Sequence, residues 1–272
     1  MNGLMVVGTA SDVGKTMICT AFCRILANEE INVAPFKSQN MSGFSVKLPN
    51  GLEISRSQFQ QAEAARTAPI VEMNPILLKP KPQLQSDVLF MGKSMITIGG
   101  QEFREQLYEK GMDTIKLALQ HLSENFDTVI IEGAGSTAEV NLMDRELTNM
   151  RVAELADVPV VLVADISKGG AIASIVGTLQ LLSPERQQRI KAIIINKFYG
   201  DMAYFQDGVE FIEQYTGTPV AGVIPVLENH GIPEEDMERD TKPAASGVDV
   251  YEQWAEHVKK HMNWPLIKSI LA

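Results

Sequence analysis

Apolar residues recur along the chain in short, nearly unbroken runs at 4–7, 31–36, 128–131, 158–164, 190–195 and 220–224. Runs of that length, bounded by glycine, asparagine or acidic residues, predict strands covered on both faces. Between them the apolar positions change to helical spacing, over 15–28, 55–67, 100–125 and from Gly169-Gly170 to Leu182. In the longest of these stretches Leu107, Met112, Ile115, Leu119 and Leu122 fall on one face. Strands that alternate with helices predict an α/β fold: an open, mostly parallel sheet with helices on both faces. In such a sheet the ligand-binding edge is the one where the strands end.

Two stretches depart from this rhythm. Residues 74–98 carry β-type runs at 76–78, 88–91 and 95–98 around a proline- and glutamine-rich stretch, 79–87. They predict an excursion from the sheet, a small β element with a mobile loop near the site. Residues 228–247 are polar, with prolines and acids, and 248–271 return to helical spacing with Trp254, Val258 and Met262. The expected organisation is one unit over 1–226, a polar linker or loop over 227–247, and a C-terminal helix over 248–272 packed on the same unit.

Composition narrows the function classes. Among 272 residues the formal net charge is −10, which argues against a nucleic-acid-binding surface. The two cysteines, Cys19 and Cys23, lie one helical turn apart, more in keeping with a core position in a reducing cytosol than with a disulfide or metal site. The chain enters a strand at once, with no charged leader, and no apolar run reaches spanning length. A cytoplasmic protein with no membrane contact is the expectation.

Candidate chemistry begins where the first strand stops. Gly8-Thr9-Ala10-Ser11-Asp12-Val13-Gly14-Lys15-Thr16 joins a strand to a helix in the order a Walker A phosphate loop needs. Backbone N–H groups of the loop and of the helix start favour anionic oxygens there. Lys15 would reach the outer phosphates, and the Thr16 hydroxyl suits Mg²⁺. The candidate nucleotide contacts are Gly8, Thr9, Ser11, Asp12, Val13, Gly14, Lys15, Thr16 and Met17. Five residues separate Gly8 from Gly14, one more than the standard spacing. Glu132, closing the 128–131 run ahead of Gly133-Ala134-Gly135, stands where a Walker B acid holds the cation. Asn196 closes another run and either reads a purine edge or forms a turn. The polar loop 37–42 opens at the end of the second strand. Glu139, Asn141, Asp144 and Arg145 either face a substrate or cap a helix. Gln58 and Glu63 lie on a helix that reads equally well as solvated. His257 and His261, one turn apart without a third ligand in view, read as a solvated face.

Together with Phe36-Lys37-Ser38-Gln39-Asn40-Met41, Glu132-Gly133-Ala134-Gly135 and Asn196-Lys197-Phe198, the phosphate loop resembles the ATP-dependent synthetase domain of the cobyric acid synthases. That family is grouped with dethiobiotin synthetase, a P-loop NTPase fold in which the longer loop spacing also occurs. Met73-Asn74-Pro75-Ile76-Leu77-Leu78-Lys79-Pro80, Asn141-Leu142-Met143-Asp144-Arg145 and Val163-Ala164-Asp165-Ile166 extend the resemblance over residues 4 to 226.

The resemblance implies ATP and Mg²⁺ as cofactors and amidation of corrinoid carboxylates through an acyl phosphate. Lys15 and Lys37 would be catalytic, Thr16 and Glu132 would hold the metal, and Gln39, Asn40, Ser42, Glu139 and Asn141 would face the acceptor. The glutaminase domain of full-length relatives has no counterpart here, although 251–271 resembles their final helix. Ammonia would then come from solution or from a separate glutaminase subunit, and a homodimer is expected. The family's Thr-Ser-Asp-x-Gly-Ser-Gln run reads here Lys81-Pro82-Gln83-Leu84-Gln85-Ser86-Asp87, with only Ser86 in place. A dethiobiotin-synthetase-like carboxylase on another small acceptor is the alternative reading. A P-loop switch ATPase is a third; it would carry a lysine early in the loop, and none lies between Gly8 and Gly14.

Overall fold

The six long apolar runs lie side by side as parallel strands in the order β12-β11-β10-β1-β9-β2. Here β1 is Gly3–Gly8, β2 Val33–Phe36, β9 Thr128–Glu132, β10 Val160–Asp165, β11 Ile190–Phe198 and β12 Val220–Pro225. The computed structural model describes residues 1–233 and 249–271. Most of the expected linker therefore lies outside the described residues.

Side chains alternate along a strand, and β1 shows what that does to a continuous apolar run. Met5 and Val7 enter one core layer with Phe36, Ile115, Ile131, Leu162 and Ile193. Leu4 and Val6 enter the other with Ile18, Phe22, Ile130, Val161, Trp254 and Trp264. All four are fully buried, each contributing about 1.5–3 kcal/mol relative to exposure. Helix α1 (Lys15–Asn28) covers the second layer together with α9 (Val250–Lys260) and α10 (Trp264–Leu271). Buried Arg24 of α1 pairs with Asp249 at 3.0 Å, and Trp254 of α9 donates to the Met17 carbonyl at 2.7 Å. The first layer is closed by α4 (Tyr108–Asn125), α5 (Met150–Ala156), α6 (Ala171–Leu181) and α8 (Gln206–Thr216).

The excursion is larger and more ordered than the sequence pattern predicts. After β2 the chain forms β3 (Gln39–Met41), a small hairpin of β4 (Ser45–Lys47) and β5 (Glu53–Ser55), and helix α2 (Arg56–Ala64). Strands β6 (Ile76–Lys81), β7 (Gln85–Phe90) and β8 (Lys93–Gly99) join β3 in a second sheet ordered β3-β6-β7-β8. The expected mobile loop 79–87 is the end of the β6–β7 hairpin, with Lys79 opposite Asp87 and Lys81 opposite Gln85. Pro80 lies past Leu78, the last residue of β6 paired to β3, so the ladder on that side has already ended.

Two predicted helices are each divided. Residues 100–125 form α3 (Gly100–Gln106) and α4, parting at Leu107. The C-terminal helix parts at Met262, which bridges Gly222, while Asn263 N–H donates to the Ala221 carbonyl at 2.6 Å. Pro265 then falls in the first turn of α10, where its missing N–H costs nothing. Helix α7 (Pro184–Arg189) leads directly into β11. No helix among the described residues is long and apolar enough to cross a membrane.

Candidate active site

A cavity of about 800 Å³ opens at the edge where the parallel strands end, walled by Lys15, Thr16, Lys37, Asn40, Glu132, Gly135, Asn196 and Trp254 among others. The phosphate loop forms its floor. Gly14 has φ +98, and a Cβ there would stand 2.1 Å from Asn196 Nδ2. Only glycine fits. Asn196 donates from that nitrogen to the Val13 carbonyl at 2.9 Å. Lys197 reaches the Asp12 carbonyl and pairs with Asp165 at 3.1 Å. From the other side Thr137 donates to the Gly8 carbonyl through both N–H and hydroxyl, each at 3.0 Å. The loop is thus clasped from β11 and from the segment after β9. Asn196 lines the cavity, and its amide is engaged in holding the loop.

Lys15 leaves α1 at its first turn and crosses the loop to the carbonyls of Ala10 at 2.9 Å and Gly135 at 2.8 Å. Burial lowers its pKa to about 8; Glu132 partly offsets this and Lys37 adds to it.

Glu132, 1% exposed, is the hub of the site. Its Oε1 accepts from the Thr16 hydroxyl at 2.7 Å and from Lys37 Nζ at 2.8 Å. Its Oε2 accepts from Gln61 Nε2 at 2.6 Å and Gln58 Nε2 at 3.5 Å. Burial alone would push this carboxyl up. The Lys37 charge and the hydrogen bonds from Lys37, Thr16 and Gln61 outweigh burial and hold it below its ordinary value. Thr16 spends its one proton on Glu132, which leaves its oxygen lone pairs for a cation. Thr16 and Glu132 are hard oxygen donors, and no cluster of three or more His, Cys, Asp or Glu side chains occurs among the described residues. Such a set fits a magnesium-like ion that keeps water and phosphate ligands, not a fully protein-ligated metal.

The remaining candidates divide. Asn40, 3% exposed, reaches the cavity wall and donates to Ser57 Oγ at 3.1 Å and Gln58 Oε1 at 3.3 Å. Ser11, Asp12 and Met17 also line the cavity. Gln39 is half-buried in the β3–β6 ladder, and buried Ser42 caps a turn by accepting from Phe44 N–H at 3.1 Å; neither lines the cavity. Glu139 and Asn141 are exposed, the first preceding and the second within the 3-10 turn Val140–Arg145, and they stand off the cavity wall. His257 and His261 do not form a solvated face. His257 is half-buried, bonds the Pro225 carbonyl at 2.9 Å and stacks on Trp254, while His261 bonds the His257 carbonyl. Burial, helped by His261 and Lys260, lowers the His257 pKa against the pull of that carbonyl. Cys19 and Cys23 are buried, and burial pushes both thiols up, which leaves them poor nucleophiles.

Sequence reasoning passed over Gln60 and Gln61 and left Gln58 undecided. The spacing of Gln58 and Gln61 was the available signal, since residues three apart share a helix face.

A family model described as an AAA domain matches residues 100–233, the part of the chain after the phosphate loop. Proteins named cobyric acid synthase match nearly the whole chain. That of Desulforamulus reducens is 49% identical over 91% of this chain and 49% of its own length. That of Geobacillus thermodenitrificans is 49% identical over 90% and 49%, and that of a Nostoc species 47% over 92% and 51%. The chain spans about half the length of these curated relatives. Among solved structures, chloroplast FtsY from Physcomitrella patens is 16% identical with a TM-score of 0.49, covering 83% of this chain and 59% of that one. That likeness is too distant to bear on the site.

Proposed function

The chain is a homologue of the cobyric acid synthases, matched along nine-tenths of its own length, and from that premise we propose that it carries out their ATP-dependent amide-bond formation on corrinoid side-chain carboxylates. The observation that carries this reading is the convergence of Lys15, Lys37, Thr16 and Glu132 on one cavity at the strand ends. Two ammonium groups and the N–H groups of the loop supply positive potential where a triphosphate would be held.

A carboxylate oxygen of the acceptor would form a bond to the γ-phosphorus of ATP as the bond to the bridging oxygen of ADP breaks. The products of that step are an acyl phosphate and ADP. Ammonia nitrogen would then bond to the acyl carbon, phosphate would leave with the C–O electron pair, and the surplus proton would pass to solvent. Lys15 would move from the Ala10 and Gly135 carbonyls to the phosphate oxygens. Lys37 is held by Glu132 on the wall beside Asn40, where it can stabilise charge on the transferred group. Mg²⁺, held by Thr16 and Glu132, would supply charge neutralisation across the phosphate oxygens.

Buried Cys19 and Cys23 are not disposed to hydrolyse glutamine, which supports ammonia that reaches this unit from outside it, from solution or from a glutaminase. The test is ADP release with corrinoid acids, with diaminopelargonate and without acceptor, each with ammonia or glutamine. Release that needs a corrinoid acid and ammonia supports the proposal. Release that follows diaminopelargonate or ignores the acceptor overturns it. The double variant Cys19→Ser, Cys23→Ser should keep its ammonia-dependent turnover.

A further inference from the structure

Helix α2 carries Gln58, Gln60 and Gln61, and all three are buried. A buried carboxamide needs acceptors for its N–H groups and a donor for its oxygen, and is costly where they are missing. Gln58 meets that need: its oxygen takes Ser55, Ser57 and Asn40 while its nitrogen faces Glu132 Oε2. Gln61 meets half of it. Its nitrogen donates to Glu132 Oε2 at 2.6 Å and approaches the Thr16 carbonyl at 3.4 Å. Its oxygen is buried and, among the described residues, accepts nothing. Turning the group over gives no relief, because Glu132 Oε2 and the Thr16 carbonyl are both acceptors and must face the donor end. The unsatisfied oxygen is therefore fixed on a carboxamide that already touches both residues assigned to the cation. A buried acceptor left open in this way calls for a water or an ion as its partner.

We infer that Gln61 is a positioning residue for a divalent cation: its amide pins Glu132 Oε2, leaving Oε1 to Thr16 and Lys37, and its oxygen accepts a hydrogen bond from a water that the cation holds. Gln61 has this role only if Thr16 and Glu132 bind a cation, as proposed above. A neutral amide suits the task. It fixes the carboxylate without cancelling its charge, as a further ammonium group would. Magnesium keeps several waters in protein sites, so an acceptor beyond its direct ligands has a partner to receive from. Contacts of this kind are typically worth about tenfold to a hundredfold in metal affinity.

The experiment titrates Mn²⁺ into the full chain with saturating ADP, reading free Mn²⁺ by electron paramagnetic resonance, alongside ADP affinity in EDTA. Gln61→Met keeps the length and removes both polar atoms. Its Mn²⁺ affinity should fall about tenfold to a hundredfold while ADP affinity in EDTA holds. Mn²⁺ affinity in Gln61→Met within about twofold of wild type overturns the inference. So does an equal loss of ADP affinity in EDTA, which would place the effect in the fold. Wild-type protein that binds ADP and takes up no Mn²⁺ overturns the cation assignment, and the inference with it. Failure to amidate a corrinoid touches neither.

Discussion

Two polar segments leave strands of the main sheet at the same edge, residues 37–42 after β2 and residues 139–145 after β9, and they end in opposite environments. In the first, Lys37, Ser38, Asn40 and Ser42 are buried. β3 pairs this segment to β6, and α2 supplies partners behind it. In the second, the 3-10 turn Val140–Arg145 buries no residue. The difference lies in what stands behind each segment. A polar side chain is held in one geometry when backbone pairing fixes its origin and buried partners fix its tip. Residues 37–42 have both, so their chemistry is preorganised; residues 140–145 fold into a turn whose side chains stay unburied.

The largest effect should come from breaking the pair on which the first segment turns. Lys37→Met leaves Glu132 charged and buried against neutral donors alone, a loss of about 3–5 kcal/mol. The pH dependence sharpens this. Glu132 has a folded pKa below 4.5, so its contribution is complete above that value and is lost as pH falls through the folded pKa. Without Lys37 burial dominates, and the loss should move toward neutral pH. Denaturant unfolding at pH 7 and pH 5 checks both points; a variant that tracks wild type at each pH would remove Lys37 from the hub. Turnover should also fall by about a hundredfold or more.

Lys15 should act with the opposite sign on stability. Its folded pKa of about 8 lies below the ordinary 10.5, so the unfolded chain binds the proton more tightly. Stability should therefore rise between pH 8 and 10.5, and the full penalty applies below pH 8. Lys15→Met should stabilise the nucleotide-free protein by about 1–3 kcal/mol at pH 7, flatten that slope and abolish turnover. Thermal unfolding from pH 7 to 10 measures the first two. Loss of stability at pH 7 would mean that the Ala10 and Gly135 carbonyls hold the ammonium group more strongly than burial repels it.

Asn40 should come next. Asn40→Ala removes the donor to Ser57 and Gln58, which keep their bond to each other, a loss of about 0.5–1.5 kcal/mol, and should lower acceptor-dependent ADP release with ATP affinity nearly unchanged. Equal losses in ATP affinity and turnover would make Asn40 a structural residue alone.

These residues also mark how far the sequence could be read. The main sheet was legible because each strand is apolar on both faces, and the phosphate loop because glycines, Lys15 and Thr16 sit at fixed offsets from a strand and a helix. Gln61 was not, since its partner Glu132 lies 71 residues on, and a glutamine on a helix reads as solvated until that partner is known. The β6–β7 hairpin was hidden by Pro80 and Pro82, which signal a loop in sequence; Pro80 is tolerated where β6 has lost its β3 neighbour, and Pro82 falls in the turn itself. The division of the last helix at Met262 depended on a bridge to Gly222, a contact without local signature.

The smallest effects should fall on the second segment, and they decide whether the comparison holds with an acceptor bound. Glu139 and Asn141 are exposed, so Glu139→Gln and Asn141→Ala should stay within about 0.5 kcal/mol of wild-type stability. With neither side chain on the cavity wall, acceptor-dependent ADP release should also stay within about twofold. The opposite outcome has a definite meaning. The segment begins just beyond Thr137, which is clamped to Gly8 by two hydrogen bonds, so its root is fixed to the phosphate loop while its far part is open to solvent. A turn anchored in that way could fold over a large acceptor seated on the cavity mouth. Loss of acceptor-dependent turnover in Asn141→Ala, with unchanged unfolding midpoint and unchanged ATP affinity, would show that it does. The two segments would then differ in when they are ordered, the first by the fold and the second by the acceptor.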